Sequence, residues 1–119
     1  MEAPHLKQGR LGERRACRFL MRLGYDILAR RFRGRGGELD IVAFDGPVLV
    51  FVEVKARAGS AFGEPWEFVD WWKKQKLRRA AEEFIVRHDL GHYAWRFDIV
   101  SVVAPGEPSE RIDHLRDAF

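Results

Sequence analysis

Apolar residues recur along this chain with two different periods. From Lys7 to Leu23 the repeat is helical, with Ala16, Phe19, Leu20 and Leu23 at i, i+3, i+4 and i+7, and Gly24 ends the run. Tyr25 to Arg33 reads as a strand, followed by a flexible connection, Gly34-Arg35-Gly36-Gly37. Glu38 to Phe44 and Val48 to Arg57 read as two more strands, rich in β-branched residues and joined at Asp45-Gly46, a strong hairpin signal. Ala58 to Trp66 is a glycine-containing loop. Asp70 to His88 returns to the helical period, with Asp70 as its cap and Leu77, Ala80, Ala81 and Phe84 on its apolar side. Tyr93 to Val103 is a fourth strand, and Pro105-Gly106-Glu107-Pro108 opens a tail ending in Ile112, His114, Leu115 and Phe119. The predicted order is α-β-β-β-α-β. It describes an α/β fold, a small mixed sheet flanked by helices, in a single domain over residues 1–119.

Charge interrupts the second and third strands where a packed sheet should be apolar. Strand side chains alternate faces, so Glu38 and Asp40 share one face, and Glu53 and Lys55 share one face. Buried carboxylates and an ammonium cost free energy unless they pair or bind a cation. A two-residue loop at Asp45-Gly46 sets Phe44 against Pro47. Glu38 then lies across from Glu53, and Asp40 across from Phe51 and diagonal to Glu53. Opposed side chains sit about 5 Å apart and diagonal ones about 7–8 Å, so the repulsion asks for a cation. Glu13 stands three residues before Ala16 on the core-facing stripe of the first helix, and Gly9 and Gly12 on the same side would let that helix approach closely.

Residue type narrows the chemistry. Hard oxygen ligands with no His or Cys nearby select Mg²⁺ or Mn²⁺ over Zn²⁺. Asp40 and Glu53 are the expected ligands, with Glu38 or Glu13 completing or supporting the shell. A lysine two residues from a ligand, such as Lys55, can orient an attacking water or neutralise charge on a phosphorane. These parts suit phosphodiester hydrolysis.

Composition adds a direction to that reading. The net charge is only +3, yet residues 1–37 carry ten Lys/Arg against three acids. Almost all of these cations are Arg, which suits bidentate phosphate contacts. Arg10, Arg14, Arg33 and Arg35, with Arg57 and Lys73 further on, are the expected contacts to a nucleic-acid backbone. Lys73, Lys74, Lys76, Arg78 and Arg79 give the second helix a basic surface of its own. The single Cys17 excludes an internal disulfide and a thiolate cluster, and is expected in the core. No apolar run approaches the length of a membrane span, and the Arg-rich start lacks the apolar stretch of a signal peptide, so a cytoplasmic setting is expected.

Asp40…Glu53-x-Lys55 in an α-β-β-β-α-β chain resembles the PD-(D/E)xK nuclease core. It is similar in particular to archaeal Holliday-junction resolvases, where an early-helix Glu joins the same three positions. A closer resemblance, over almost the whole chain, is to the YraN family of small bacterial proteins. It is carried by Gly9-x-x-Gly12-Glu13-x-x-Ala16, Gly36-Gly37-Glu38-Leu39-Asp40-Ile41-Val42-Ala43, Phe51-Val52-Glu53-Val54-Lys55-x-Arg57, Val69-Asp70-x-x-Lys73, Arg96-Phe97-Asp98-Ile99-Val100 and Ile112-x-His114-Leu115-x-x-Ala118-Phe119. The resemblance implies a restriction-endonuclease-like fold, and by analogy a magnesium-dependent endonuclease acting on branched or damaged DNA. Leu39 stands where the literal nuclease pattern has proline before Asp40.

Other readings stay open. A nucleic-acid-binding module could keep the nuclease fold without turnover, and Glu38, Glu53, Lys55 and an arginine could form a purely structural ion network. Trp66, Trp71, Trp72 and Trp95 could stack on bases or fill the core. Trp71 and Trp72 cannot both be buried on one helix face, so one is a candidate homodimer contact. Asp98 is expected either to support Glu13 or a metal ligand, or to cap the sheet edge. His5, His88, His92 and His114 show no ligand spacing.

Overall fold

Two apolar clusters on opposite faces of one sheet organise the molecule. The computed structural model describes residues 4–58 and 69–119, with only the helical backbone at 4–8. The loop predicted to run to Trp66 therefore lies, beyond Ala58, outside the described residues, as do Trp66 and the side chains of His5 and Lys7. The elements are α1 (Pro4–Arg22), β1 (Asp26–Arg33), β2 (Glu38–Asp45), β3 (Val48–Arg57), α2 (Trp71–Arg87), β4 (Trp95–Val103) and β5 (Arg111–Leu115). The strand order is β1-β2-β3-β4-β5. β3 and β4 run parallel and all other neighbours antiparallel. This mixed α/β sheet with two helices is compatible with a restriction-endonuclease-like core.

The tail contributes a strand that its sequence does not announce. β5 pairs with β4 from Ile99↔Leu115 to Val103↔Arg111. Five residues after the Pro105-Gly106-Glu107-Pro108 stretch read as a tail because the alternation is too short to register, yet the exposed edge of β4 supplies the missing hydrogen bonds. The chain end then folds back, and Phe119 stacks on Phe97 with ring centroids 4.7 Å apart.

Each helix covers one face. Ala16, Cys17 and Leu20 of α1 pack on Ile41, Ala43, Val50, Val52, Val100 and Val102. Leu77, Ala80, Ala81 and Phe84 of α2 pack on Leu49, Phe51, Phe97 and Ile99. Leu23 is left exposed, because α1 ends one residue earlier. Asp70 caps α2 by accepting the Lys73 backbone N–H at 2.8 Å. Gly12 has a packing reason, since a Cβ there would lie 2.5 Å from that of Ala56 on β3. Gly9, expected to share this role, faces open space.

The hairpin register differs from the predicted one by two residues. Asp45 pairs with Val48 and Phe44 with Leu49, so Gly46-Pro47 forms the loop. Gly46 takes the positive φ of 57° that the first position of a tight hairpin turn demands, and the fixed negative φ of proline suits the second. A shift of two preserves every face assignment but moves each cross-strand partner. Phe51 faces Val42 instead of Asp40, and the same register carried on brings Asp40 level with Glu53.

Candidate metal and phosphate site

The β2–β3 ladder ends at Ile41↔Val52, and the candidate site begins there. Leu39 lies with the α2-side cluster and Ile41 with the α1-side cluster, so strict alternation is broken at Asp40. Its side chain turns between the two strands, and Oδ2 accepts the Val54 backbone N–H at 2.8 Å. The carboxylate thus takes over a hydrogen bond that the ladder no longer makes.

Glu53 sits beside it, buried to 7% exposure. Lys55 Nζ and Lys73 Nζ each lie 3.9 Å from Glu53 Oε1, one from the same strand and one from the first turn of α2. Burial, together with the Glu53 charge, pushes the Asp40 carboxyl up to about 8, even though the Val54 N–H favours its ionised form. The Glu53 carboxyl beside it is thus a source of repulsion for an ionised Asp40. Glu13 adds a smaller repulsion from α1. Its carboxylate is held by Arg31, whose Nε donates to Oε2 at 2.7 Å.

Asp40, Glu53, Lys55 and Glu13 are therefore brought together, and Lys73 joins them as a partner of Glu53. Glu38 is not brought in. It lies exposed at the start of β2, with Arg33 Nε 3.8 Å from its carboxylate. Arg35 is exposed, and its backbone N–H donates to Glu83 at 2.8 Å. Arg57 is the last residue of β3, and its carbonyl accepts the Ala104 N–H. Arg10 and Arg14 line a depression with Arg30 and Arg31 between α1 and β1. On α2, Lys74 and Arg78 lie over the Phe119 ring at 5.6 and 5.9 Å.

Among the described residues no three His, Cys, Asp or Glu side chains are grouped so as to hold a metal ion by themselves. Asp40 and Glu53 offer a pair of hard oxygen donors instead. That suits Mg²⁺, which commonly takes one or two protein carboxylates and keeps waters. The donor set is the physical sign of the fit, because a divalent cation between the two carboxyls would relieve the repulsion between Asp40 and Glu53.

Asp98 belongs to a different cluster. It is fully buried in β4. It accepts Arg96 Nε at 2.9 Å and the Asp117 N–H at 3.1 Å, and lies 2.7 Å from His114 Nε2. Arg96 continues to Asp45 and the Tyr25 hydroxyl. The expectation that Asp98 supports Glu13 or a ligand gives way to this network, which ties β5 and the chain end to β4. His114, without a role by spacing alone, is its closest partner. The alternation Ile112-x-His114 was the only signal for it, and it becomes legible once β5 exists.

The remaining aromatics divide. Trp71 and Trp72 meet edge to face at 4.7 Å and are both exposed, at 60% and 72%. Cys17 is buried, as expected. Among the described residues no helix is long and apolar enough to cross a membrane.

The sequence profile described as "Uncharacterised protein family UPF0102" matches residues 12–102. A UPF0102 protein of Alkaliphilus metalliredigens is 39% identical over 111 residues, covering 93% of this chain and 96% of the relative. One of Desulforamulus reducens is 42% identical over 115 residues, covering 93% of both chains. One of Rhodococcus opacus is 41% identical over 118 residues, covering 98% of this chain and 99% of the relative.

Proposed function

Starting from the premise that this chain belongs to the UPF0102 family, the YraN family of its sequence motifs, we propose that it is a metal-dependent endonuclease that hydrolyses DNA phosphodiester bonds. The observation that carries the reading is the convergence of Asp40, Glu53 and Lys55 at the point where β2 and β3 part. Two carboxyls crowded together in a largely buried site are the arrangement that a hard divalent cation resolves.

Asp40 and Glu53 would hold Mg²⁺ or Mn²⁺, which when bound polarises a phosphoryl oxygen and lowers the pKa of a water. The Val54 N–H fixes the Asp40 carboxylate in one orientation. Lys55, 3.9 Å from Glu53, would set its ammonium against the phosphorane charge and hold the attacking water in line. Glu13, steadied by Arg31, orients groups from the helix side. In the hydrolysis the water oxygen bonds to phosphorus and gives up a proton, the ester P–O bond breaks, and the departing oxygen takes up a proton in its place. Lys73, beside Glu53, and Arg57, at the end of β3, would meet the flanking phosphates.

A second reading is favoured by one observation. Glu53 already has two ammonium groups at 3.9 Å, so a non-catalytic nucleic-acid-binding module that keeps the fold is self-consistent. Cleavage of duplex, single-stranded and four-way-junction DNA with Mg²⁺ or Mn²⁺ separates the two. Wild type should cleave at least one substrate, with Asp40→Ala and Lys55→Ala each losing about 100-fold or more. Unchanged cleavage in both variants sinks the nuclease assignment. DNA binding that survives Asp40→Ala, with no heat of divalent-ion binding in wild type, establishes the module instead.

A further inference from the structure

The geometry points to a second functional surface: the groove between α1 and β1 is a track for the phosphodiester backbone of a nucleic-acid strand leading to the carboxylate site. This rests on the reading of that site as one that takes phosphodiesters, and it adds where the strand outside the site would lie.

Arg14, Arg18 and Arg22 are spaced four residues apart on α1, so they form one row along the helix. Successive members are about 6 Å apart along the axis. All three are exposed, as is Arg30 on the facing strand. Arg14, Arg18, Arg22 and Arg30 line an open depression of about 460 Å³ floored by Cys17 and Met21. Arg14 and Arg30 also line the adjoining one, of about 380 Å³, with Arg31. Among the described residues Arg14, Arg18 and Arg30 have no carboxylate partner, so nothing in the fold uses their charge. A row of unneutralised guanidinium groups in a shallow groove fits a chain of phosphates, which they can grip bidentately.

The backbone of β1 is bent to build this surface. Arg31 holds a positive φ of 54°, a strained conformation for a side chain of its kind. Alternation fails there: both Arg30 and Arg31 are exposed, and both line the depression against α1. A regular strand would have sent one of them to the other face. Arg31 then bonds Glu13, which repels Asp40. Arg31, which lines the groove, thus links it through Glu13 to the side of α1 that faces the carboxylate cluster.

The test uses the whole chain in EDTA, with labelled duplex DNA, single-stranded DNA and polyphosphate as probes, titrated across a salt series by fluorescence anisotropy. The combined variant Arg14→Gln/Arg18→Gln/Arg30→Gln should lower the slope of log K against log salt by about 2–3 on the DNA it binds. Arg87→Gln/Arg116→Gln, which removes two exposed arginines outside the groove, should leave the slope unchanged. Thermal melting of each variant shows that the fold is retained, and Arg18→Glu alone, at an exposed helix position, should weaken DNA binding by about tenfold or more. The proposal is overturned if the triple variant keeps the wild-type slope. It is also overturned if wild type binds neither DNA, or if polyphosphate competes as well as DNA of equal charge. Calorimetry with Mg²⁺ keeps the two readings apart. A groove variant that loses DNA but retains the metal heat supports both, whereas loss of DNA binding in a protein with no metal heat supports the groove and rejects the metal site.

Discussion

Asp40 and Asp98 are both aspartates placed inside the sheet, and the fold treats them in opposite ways. Burial by itself would raise the carboxyl of Asp98, but hydrogen bonds from His114 and Arg96 outweigh it and hold the group below its ordinary value. Burial raises Asp40 too, and there its neighbour is another carboxyl, Glu53, so the group rises to about 8. Asp98 is a charge fully answered by the protein, with a hydroxyl, a guanidinium, an imidazole and a backbone N–H around it. Among the described residues Asp40 accepts one backbone N–H and faces the Glu53 carboxyl. Buried charge that the fold neutralises marks structure, and buried charge left to be neutralised from outside marks a place for a ligand.

The largest expected effect tests the structural member of the pair. Asp98→Asn leaves His114 with no carboxylate and Arg96 with Asp45 alone, and should destabilise the protein by about 3–5 kcal/mol, read from the urea midpoint. A loss below about 1 kcal/mol would break the comparison at this end.

Asp40→Asn should act in the other direction, and its effect depends on pH. The native Asp40 keeps its proton up to about pH 8, whereas an ordinary aspartate releases it near 3.8. Between those values the native state binds more protons than the unfolded chain, so this group makes stability fall as pH rises. The Asn variant has no such slope. It should match wild type near about pH 4 and melt increasingly higher as pH rises toward about 8, a gain of several kcal/mol if the whole displacement is expressed. Mg²⁺ should close that gap by stabilising wild type alone, and increasingly so as pH rises through the same window. Equal melting temperatures at both pH values would show that Asp40 is as well satisfied as Asp98.

The smallest effect belongs to Arg31. Its pair with Glu13 is exposed on the arginine side, so Arg31→Gln should change stability by no more than about 1 kcal/mol in thermal melts. A larger loss would mean that the strained strand at Arg31 is held by this pair rather than by its neighbours.

Much of this arrangement was legible before any coordinates. The helical stripe of α1, the Asp70 cap and apolar side of α2, and the alternating strands β2 and β3 follow from local periodicity and turn chemistry. So does the sharing of a face by Glu53 and Lys55, since period-two alternation survives any even register shift. The partner of Asp40 was not legible, because a two-residue loop can be drawn at Asp45-Gly46 or at Gly46-Pro47 and residue preferences alone do not choose. Glu38 looked equivalent to Asp40 by alternation. It lies outside the cluster because Asp40 turns in between β2 and β3 where their ladder ends, whereas Glu38 stays exposed on the first residue of its strand.

The sequence by itself determined which residues carry charge into the sheet and which faces they share, because those depend on a residue and its near neighbours along the chain. Only the tertiary structure decided which charges meet. β5 forms because β4 has an edge to offer, and His114 finds Asp98 only after that pairing. Asp40 finds Glu53 only where two strands stop pairing. These contacts join residues far apart in sequence, and their free energy exists only once the sheet has closed around them.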